Sequence, residues 1–289
     1  MMRLTYYLFL KPISLLPWPL LYGFSSFCYW LVYKIFRYRS KIVTGNLTRS
    51  FPDKSHSEIK RLRDQFYRHF FDVTLESIKT FSISRKDMFE RFKVRNPEVV
   101  DQFLKEGRSV ILAGGHYNNW EYLALAIDPY LEMQTAGIYH QFKNKFFQEK
   151  MLQLRGRFGM KLISRSEVRE GCLDNSDEQL ALFFANDQSP TIAKKVYWTT
   201  FLNQETAVAF GIEKYAKQLD APVVYFEIEK VKRGFYETSF RLLNDNPLEA
   251  AHGELTELHT QALEATILKN PVYWLWTHKR WKRKRKEGE

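Results

Sequence analysis

Between residues 109 and 228, short apolar runs alternate with helical stretches, and this restricts the fold more than any other feature of the chain. Ser109–Ala113, Thr135–Tyr139, Lys161–Ser164, Gln179–Ala185 and Pro222–Ile228 have the length and composition of strands. Trp120–Ile127, Phe146–Arg157 and Val208–Gln218 read as helices among them. That order predicts an α/β fold, a mixed sheet flanked by helices, with active residues at the strand ends. Upstream, Ile59, Leu62, Phe66, Phe70, Val73 and Ile78 recur at helical spacing, so Ser55–Phe81 reads as a long helix opened by a Ser55/Glu58 capping box. A short helix over Ser84–Glu90 and a late one over Glu254–Leu268 complete the pattern, with no internal repeat.

Ile13 to Tyr33 carries no charged side chain. A helix of that length spans roughly 30 Å, about one hydrocarbon core, so residues 1–41 are expected to form an N-terminal membrane helix and 42–289 the catalytic domain. Pro17, Pro19 and Gly23 would bend it, which also allows an oblique course within one leaflet. The bulky Trp30, Leu31 and Tyr33 at its end do not suit a cleaved signal peptide. Lys34, Arg37, Arg39 and Lys41 follow it, which by the positive-inside rule places the body on the cytoplasmic side of the membrane.

The net charge is +11, and Lys279, Arg280, Lys282, Arg283, Lys284, Arg285 and Lys286 crowd one tail segment behind Tyr273-Trp274-Leu275-Trp276. Such a tail suits an anionic lipid surface, and it would equally suit nucleic acid stacked on the tryptophans. Cys28 and Cys172 form no CxxC, so neither a disulfide framework nor a zinc site is indicated.

The most informative segment is Gly114-Gly115-His116-Tyr117-Asn118-Asn119-Trp120-Glu121. In a continuous helix His116 and Glu121 would be roughly 140° apart and could not meet. With His116 on a strand-to-helix turn and Glu121 in the first helical turn, the carboxylate can hold one imidazole nitrogen while the other takes a proton from an alcohol. Asn118 with Glu121 also fits a plain capping box, and a histidine after a strand is more often structural. There is no G-x-S-x-G elbow and no placed cysteine, so no covalent enzyme intermediate is suggested.

This segment resembles the H-x-x-x-x-[DE] motif of the lysophospholipid acyltransferase superfamily, and its glutamate resembles the late (secondary) acyltransferases of lipid A biosynthesis. The similarity extends through Tyr139–Lys145, Arg155–Gly159, Asp187-Gln188, Tyr197-Trp198, Phe201-Leu202 and Pro271–Lys282. It implies a glycerolipid acyltransferase-like fold and one-step transfer of an acyl chain from acyl carrier protein to a hydroxyl of a lipid A precursor. In that scheme His116 is the general base and Glu121 orients it, with no metal or cofactor. Arg157 matches a substrate-binding arginine, with Arg155 able to exchange roles with it. Asp187, Asn144 and Lys145 match further substrate-binding positions, although Asp187 also fits turn chemistry and Asn144 a helix cap. His140 stands where the family often has arginine.

Two other readings remain at this point. One is a superfamily acyltransferase with a different lipid acceptor, a lysophospholipid or an amino-acid lipid. The other is a membrane-tethered nucleic-acid binder, which the apolar N-terminus and the histidine motif disfavour, so no nucleic-acid partner is expected.

Overall fold

Val110–Gly114 is buried at every residue, and its side chains alternate between two cores. Val110 and Leu112 pack on one face with Phe103, Tyr122 and Phe226, while Ile111 and Ala113 pack on the other with Leu182, Ile212 and Ala216. A strand apolar on both faces belongs inside a sheet covered on both sides. In the computed structural model, which describes residues 2–139, 141, 143–173, 178–190 and 196–285, this strand is the middle one of seven.

The strands are β1 (Phe92–Val94), β2 (Val110–Gly114), β3 (Gln134–Tyr139), β4 (Lys161–Ser164), β5 (Leu180–Ala185), β6 (Val196–Phe201), β7 (Gln204–Ala209), β8 (Val223–Lys232) and β9 (Phe235–Asn244). Their order in the large sheet is β1-β9-β8-β2-β5-β3-β4, and β6 and β7 form a separate hairpin. Within the large sheet all neighbours are parallel except the antiparallel pair β8 and β9. The mixed α/β sheet therefore forms as expected. The register of β2 on β5 matters most: Gly114 pairs with Ala185. Both strands run the same way, so the residues two beyond each end, His116 and Asp187, leave the sheet side by side.

The long helix His56–Lys79 opens with the capping box expected, Ser55 Oγ accepting from the Glu58 amide and the Glu58 carboxylate from the Ser55 amide. Its role differs from that of an ordinary surface helix, because the N-terminal segment packs along it. Tyr22 Oη donates to Glu76 at 2.9 Å, Ser25 Oγ to Asp72 at 2.7 Å, and Lys79 Nζ to the Leu16 carbonyl at 2.8 Å.

The expected membrane-spanning helix is not formed. Leu16 adopts an extended ψ of 137°, as a residue before proline prefers, and Pro17 starts a new helix at Trp18–Cys28. A π-helical stretch over Tyr29–Ile35 follows. No helix among the described residues is long and apolar enough to cross a membrane. The outer side of this bent segment is nonetheless strongly apolar: Leu8, Phe9, Leu20, Phe27, Trp30 and Phe36 are all at least half exposed.

The tail departs from expectation in the other direction. Trp274 and Trp276 are buried, edge to face with ring centroids 4.7 Å apart, and Arg280 is buried with them. A tryptophan can be buried where its N–H finds an acceptor, and the Trp276 Nε1–H donates to the Pro271 carbonyl at 2.6 Å. The two indoles therefore belong to the core rather than to a lipid headgroup layer. Lys279, Lys282, Lys284 and Arg285 are exposed, and Lys286 lies outside the described residues.

Candidate active site

Two glycines let the β2 strand end against bulky neighbours. A Cβ on Gly114 would stand 2.3 Å from the Phe226 ring, and one on Gly115 would stand 2.9 Å from Leu263 and 3.2 Å from the Asp187 carboxyl carbon. The chain then turns at Asn118, a non-glycine residue with φ +52°, and enters the helix Trp120–Ala126. Asn119 caps that helix by accepting from the Tyr122 amide at 3.0 Å. The cap lies one residue later than an Asn118/Glu121 box would place it.

The carboxylate beside His116 is Asp187, not Glu121. Asp187 Oδ1 lies 2.6 Å from His116 Nδ1, and Asp187 Oδ2 accepts from the His116 amide at 2.9 Å and from Trp274 Nε1 at 2.9 Å. Three protein donors thus hold one buried carboxylate, and Asp187 cannot turn away without breaking them. Burial alone would raise its pKa, but the His116 ring outweighs burial and holds the group well below the usual carboxylate range. Burial likewise disfavours a charge on His116, yet the Asp187 carboxylate beside it leaves a net upward shift. With Asp187 ionised, Nδ1 is the protonated nitrogen and Nε2 keeps its lone pair. Nε2 faces the Gln188 amide nitrogen at 3.3 Å, on the more open side of the ring. Trp120 packs edge-on against the imidazole at 5.2 Å.

Glu121 sits in the first helical turn as expected, but it points to another partner. Arg155 Nη2 donates to Glu121 Oε1 at 2.7 Å and Arg155 Nε approaches Oε2 at 3.4 Å, a side-on ion pair shielded from most solvent. The physical reason is direction. Nδ1 of His116 faces the end of β5, whereas Glu121 leaves its helix toward the C-terminal end of the helix Lys145–Arg155. Of the two arginines, Arg155 is the one paired with Glu121. Arg157 is exposed, and its Nη1 donates to the Thr80 carbonyl at 3.3 Å. Asn144 caps the helix Lys145–Arg155 by accepting from the Phe147 amide at 3.0 Å, and Lys145 is exposed at its first position. His140 lies outside the described residues.

Beside this cluster is a cavity of about 310 Å³ with a mainly apolar lining, among which stand His69, Thr74, Ser77, Asn118 and Glu121. Phe66, Phe70, Val73 and Ile78 of the long helix form one wall, Phe147, Met151 and Leu154 another, and Leu10 closes it from the N-terminal segment. Trp120, Glu121 and Trp274 also line it, so the residues that flank the His116–Asp187 pair form one end of an apolar channel. The Trp274 contact to Asp187 was not legible in advance, since nothing in the tail marks one tryptophan as a carboxylate partner.

Residues 2–283 match the profile of the bacterial lipid A biosynthesis acyltransferases. The chain belongs to that family. A match over almost the whole length covers the strand-end cluster, the long helix and the buried tryptophans of the tail together, so this lipid A acyltransferase is an enzyme of acyl transfer. No individual curated protein matches it.

Proposed function

We propose that this acyltransferase moves a fatty acyl chain from an acyl carrier protein thioester to a hydroxyl of a lipid A precursor, with His116 as general base. The observation that carries this is the His116–Asp187 pair: a buried carboxylate fixes Nδ1–H, leaving a basic Nε2 beside an apolar channel. In the forward direction Nε2 takes the proton of the acceptor hydroxyl, and the oxygen attacks the thioester carbonyl. The tetrahedral oxyanion then collapses, the carbon–sulfur bond breaks, and the imidazolium returns its proton to the departing thiolate. Asp187 stabilises the imidazolium between those two events. Glu121 acts through Arg155, holding the guanidinium at the channel end, where a cation suits a developing oxyanion.

The apolar outer side of the N-terminal segment supports a place on the inner membrane. Leu8, Phe9, Leu20, Phe27 and Trp30, with Lys11, Lys34, Arg37 and Lys41 along the same segment, fit a helix pair lying in the interface of an anionic leaflet. This docking would deliver acceptor from the bilayer while the acidic carrier protein arrives from the cytoplasmic side.

The test is an assay of purified enzyme with acyl carrier protein thioester and lipid A precursor in mixed micelles, read by mass spectrometry of the product. Wild type should add one acyl chain, and His116→Ala should lose at least about 10² of that rate while still folding. Retention of wild-type turnover by His116→Ala would refute the base assignment, and faster use of the coenzyme A thioester would refute the carrier-protein donor.

A further inference from the structure

The helix Ser40–Ser50 and the tail enclose a second cavity, also of about 310 Å³, lined by Lys41, Arg49, Lys279 and Lys282 and by no acid. It shares no lining residue with the cavity beside His116. Trp281 borders it from the tail, its indole held by Nε1–H donation to Thr206 Oγ1 at 2.7 Å. Lys41, Gly45 and Arg49 follow at four-residue steps, which puts them on one face of the helix. All four cations are exposed, and among the described residues none of them enters an ion pair. Glu205, next to Gln204, is paired with Arg285 at 3.5 Å.

Arg49 distinguishes this groove from a loose group of surface charges. Its Nε donates to Gln204 Oε1 at 2.7 Å and its Nη2 to Asn46 Oδ1 at 3.0 Å. Both acceptors are themselves fixed. Asn46 Nδ2 donates to the Trp276 and His278 carbonyls, each at 3.0 Å, and Gln204 Nε2 to Ser50 Oγ at 3.1 Å. Neutral groups thus hold the guanidinium in one posture and leave its charge uncompensated. Its Nη1 donates to no described residue and lies over Gly45, where a Cβ would stand 3.1 Å away. A preorganised guanidinium with free donors and no counterion, among three lysines, matches the chemistry of a phosphate.

The surroundings of the groove indicate the source of that phosphate. Phe36 and Tyr38, 71 % and 42 % exposed, stand just ahead of Lys41 at the end of the apolar outer side of the N-terminal segment. Arg39 Nη1 ties the same stretch to the tail by donating to the Thr277 carbonyl at 3.0 Å. Amphipathic aromatic rings at a membrane surface lie at headgroup depth, where lipid phosphates are. We propose that the groove between this helix and the tail binds the phosphate of an anionic phospholipid headgroup. This rests on the reading of the N-terminal segment as lying on the membrane.

The test is flotation of the purified full-length enzyme with phosphatidylcholine vesicles, with and without phosphatidylglycerol. The readout is the ratio of the two partition coefficients. Arg49→Gln should lower that ratio by about 10- to 100-fold, the loss of a hydrogen bond between charged groups. Lys284→Gln removes an equal charge from the tail outside the groove and should lower it by no more than about fivefold. Arg49→Lys keeps the charge but loses the planar fork, and should fall by at least about tenfold. Lys282→Gln against Lys284→Gln is the second comparison, because both are exposed on the same tail and only Lys282 lines the groove. Neither lysine has a protein partner to lose, so this pair decides if the Arg49 variants fail to fold. The loss in Lys282→Gln should be the larger. Equal losses within both comparisons would overturn the site and leave a diffuse basic surface. Unchanged flotation of Arg49→Gln, with a raised KM for the carrier-protein thioester, would also overturn it and assign the groove to that acidic protein. Wild type that floats with neither vesicle would overturn the membrane reading as well.

Discussion

His116 Nδ1 lies 2.6 Å from Asp187, while Glu121, five positions along the same turn, lies 2.7 Å from Arg155. The motif residues thus belong to two ion pairs with separate tasks. In the proposed mechanism one orients the base, and the other fixes a cation near the cavity. The two are close enough to interact, since Glu121 and Arg155 act on the His116 charge in opposite directions.

The second pair predicts a charge-swap effect. Glu121→Arg and Arg155→Glu should each lower kcat/KM by about 10- to 100-fold, and the double variant should recover part of that loss. A double-mutant cycle on kcat/KM checks this. Strictly additive losses would mean that the two side chains act independently.

The glycines make a second prediction, with different outcomes at adjacent positions. Alanine at Gly114 meets the Phe226 ring at 2.3 Å within the core, so it should destabilise the fold by about 1–3 kcal/mol, read as a lower denaturant midpoint. Alanine at Gly115 presses on Leu263 and the Asp187 carboxyl group. Its larger effect should be on kcat, by about 10²-fold for a shift near 1 Å.

The N-terminal segment supports a third prediction. Replacing Leu8, Phe9, Phe27 and Trp30 with serine should leave the fold intact and weaken flotation with anionic vesicles, because these side chains face outward. Deleting residues up to Tyr33 should do more, lowering activity on detergent-dispersed acceptor as well. It removes Ser25 from Asp72 and Tyr22 from Glu76, one partner of each carboxylate, and uncovers apolar surface on the long helix. Normal turnover of the deletion variant on dispersed acceptor would mean that the segment serves only to bind membrane.

How much of this was legible in the sequence follows from how local each signal is. The β2 strand, the Ser55 cap and the helix behind Trp120 show themselves within a few residues, and they stand within one or two positions of their expected bounds. Strand β9 escaped notice although its buried and half-exposed residues alternate over Phe235–Phe240, and Gly234 at φ +76° marks the hairpin turn before it. The β6–β7 hairpin turns at Leu202-Asn203, both with positive φ, without the Asn-Gly pair that usually signals such a turn. The His116 partner was hidden for another reason. Glu121 is near in sequence, but Asp187 is near in space because β5 lies beside β2, and strand order is not written in either segment. The uncharged run over Ile13–Tyr33 was misleading because a helix packed on a polar-lined partner and a helix in lipid can share a composition, and only the Leu16–Pro17 break separates them.

The central claim, that Asp187 rather than Glu121 sets the basicity of His116, is tested most directly by the pH dependence of kcat/KM. The base must be neutral to accept a proton, and Asp187 raises its pKa, so the acid limb of the wild-type profile should lie above about 6.5, the ordinary histidine value. Asp187→Asn removes the charge that favours the imidazolium. Its acid limb should move to lower pH while kcat falls by about 10²–10⁴, and Glu121→Gln should move the limb far less. An acid limb that stays in place in Asp187→Asn and shifts in Glu121→Gln would contradict the account.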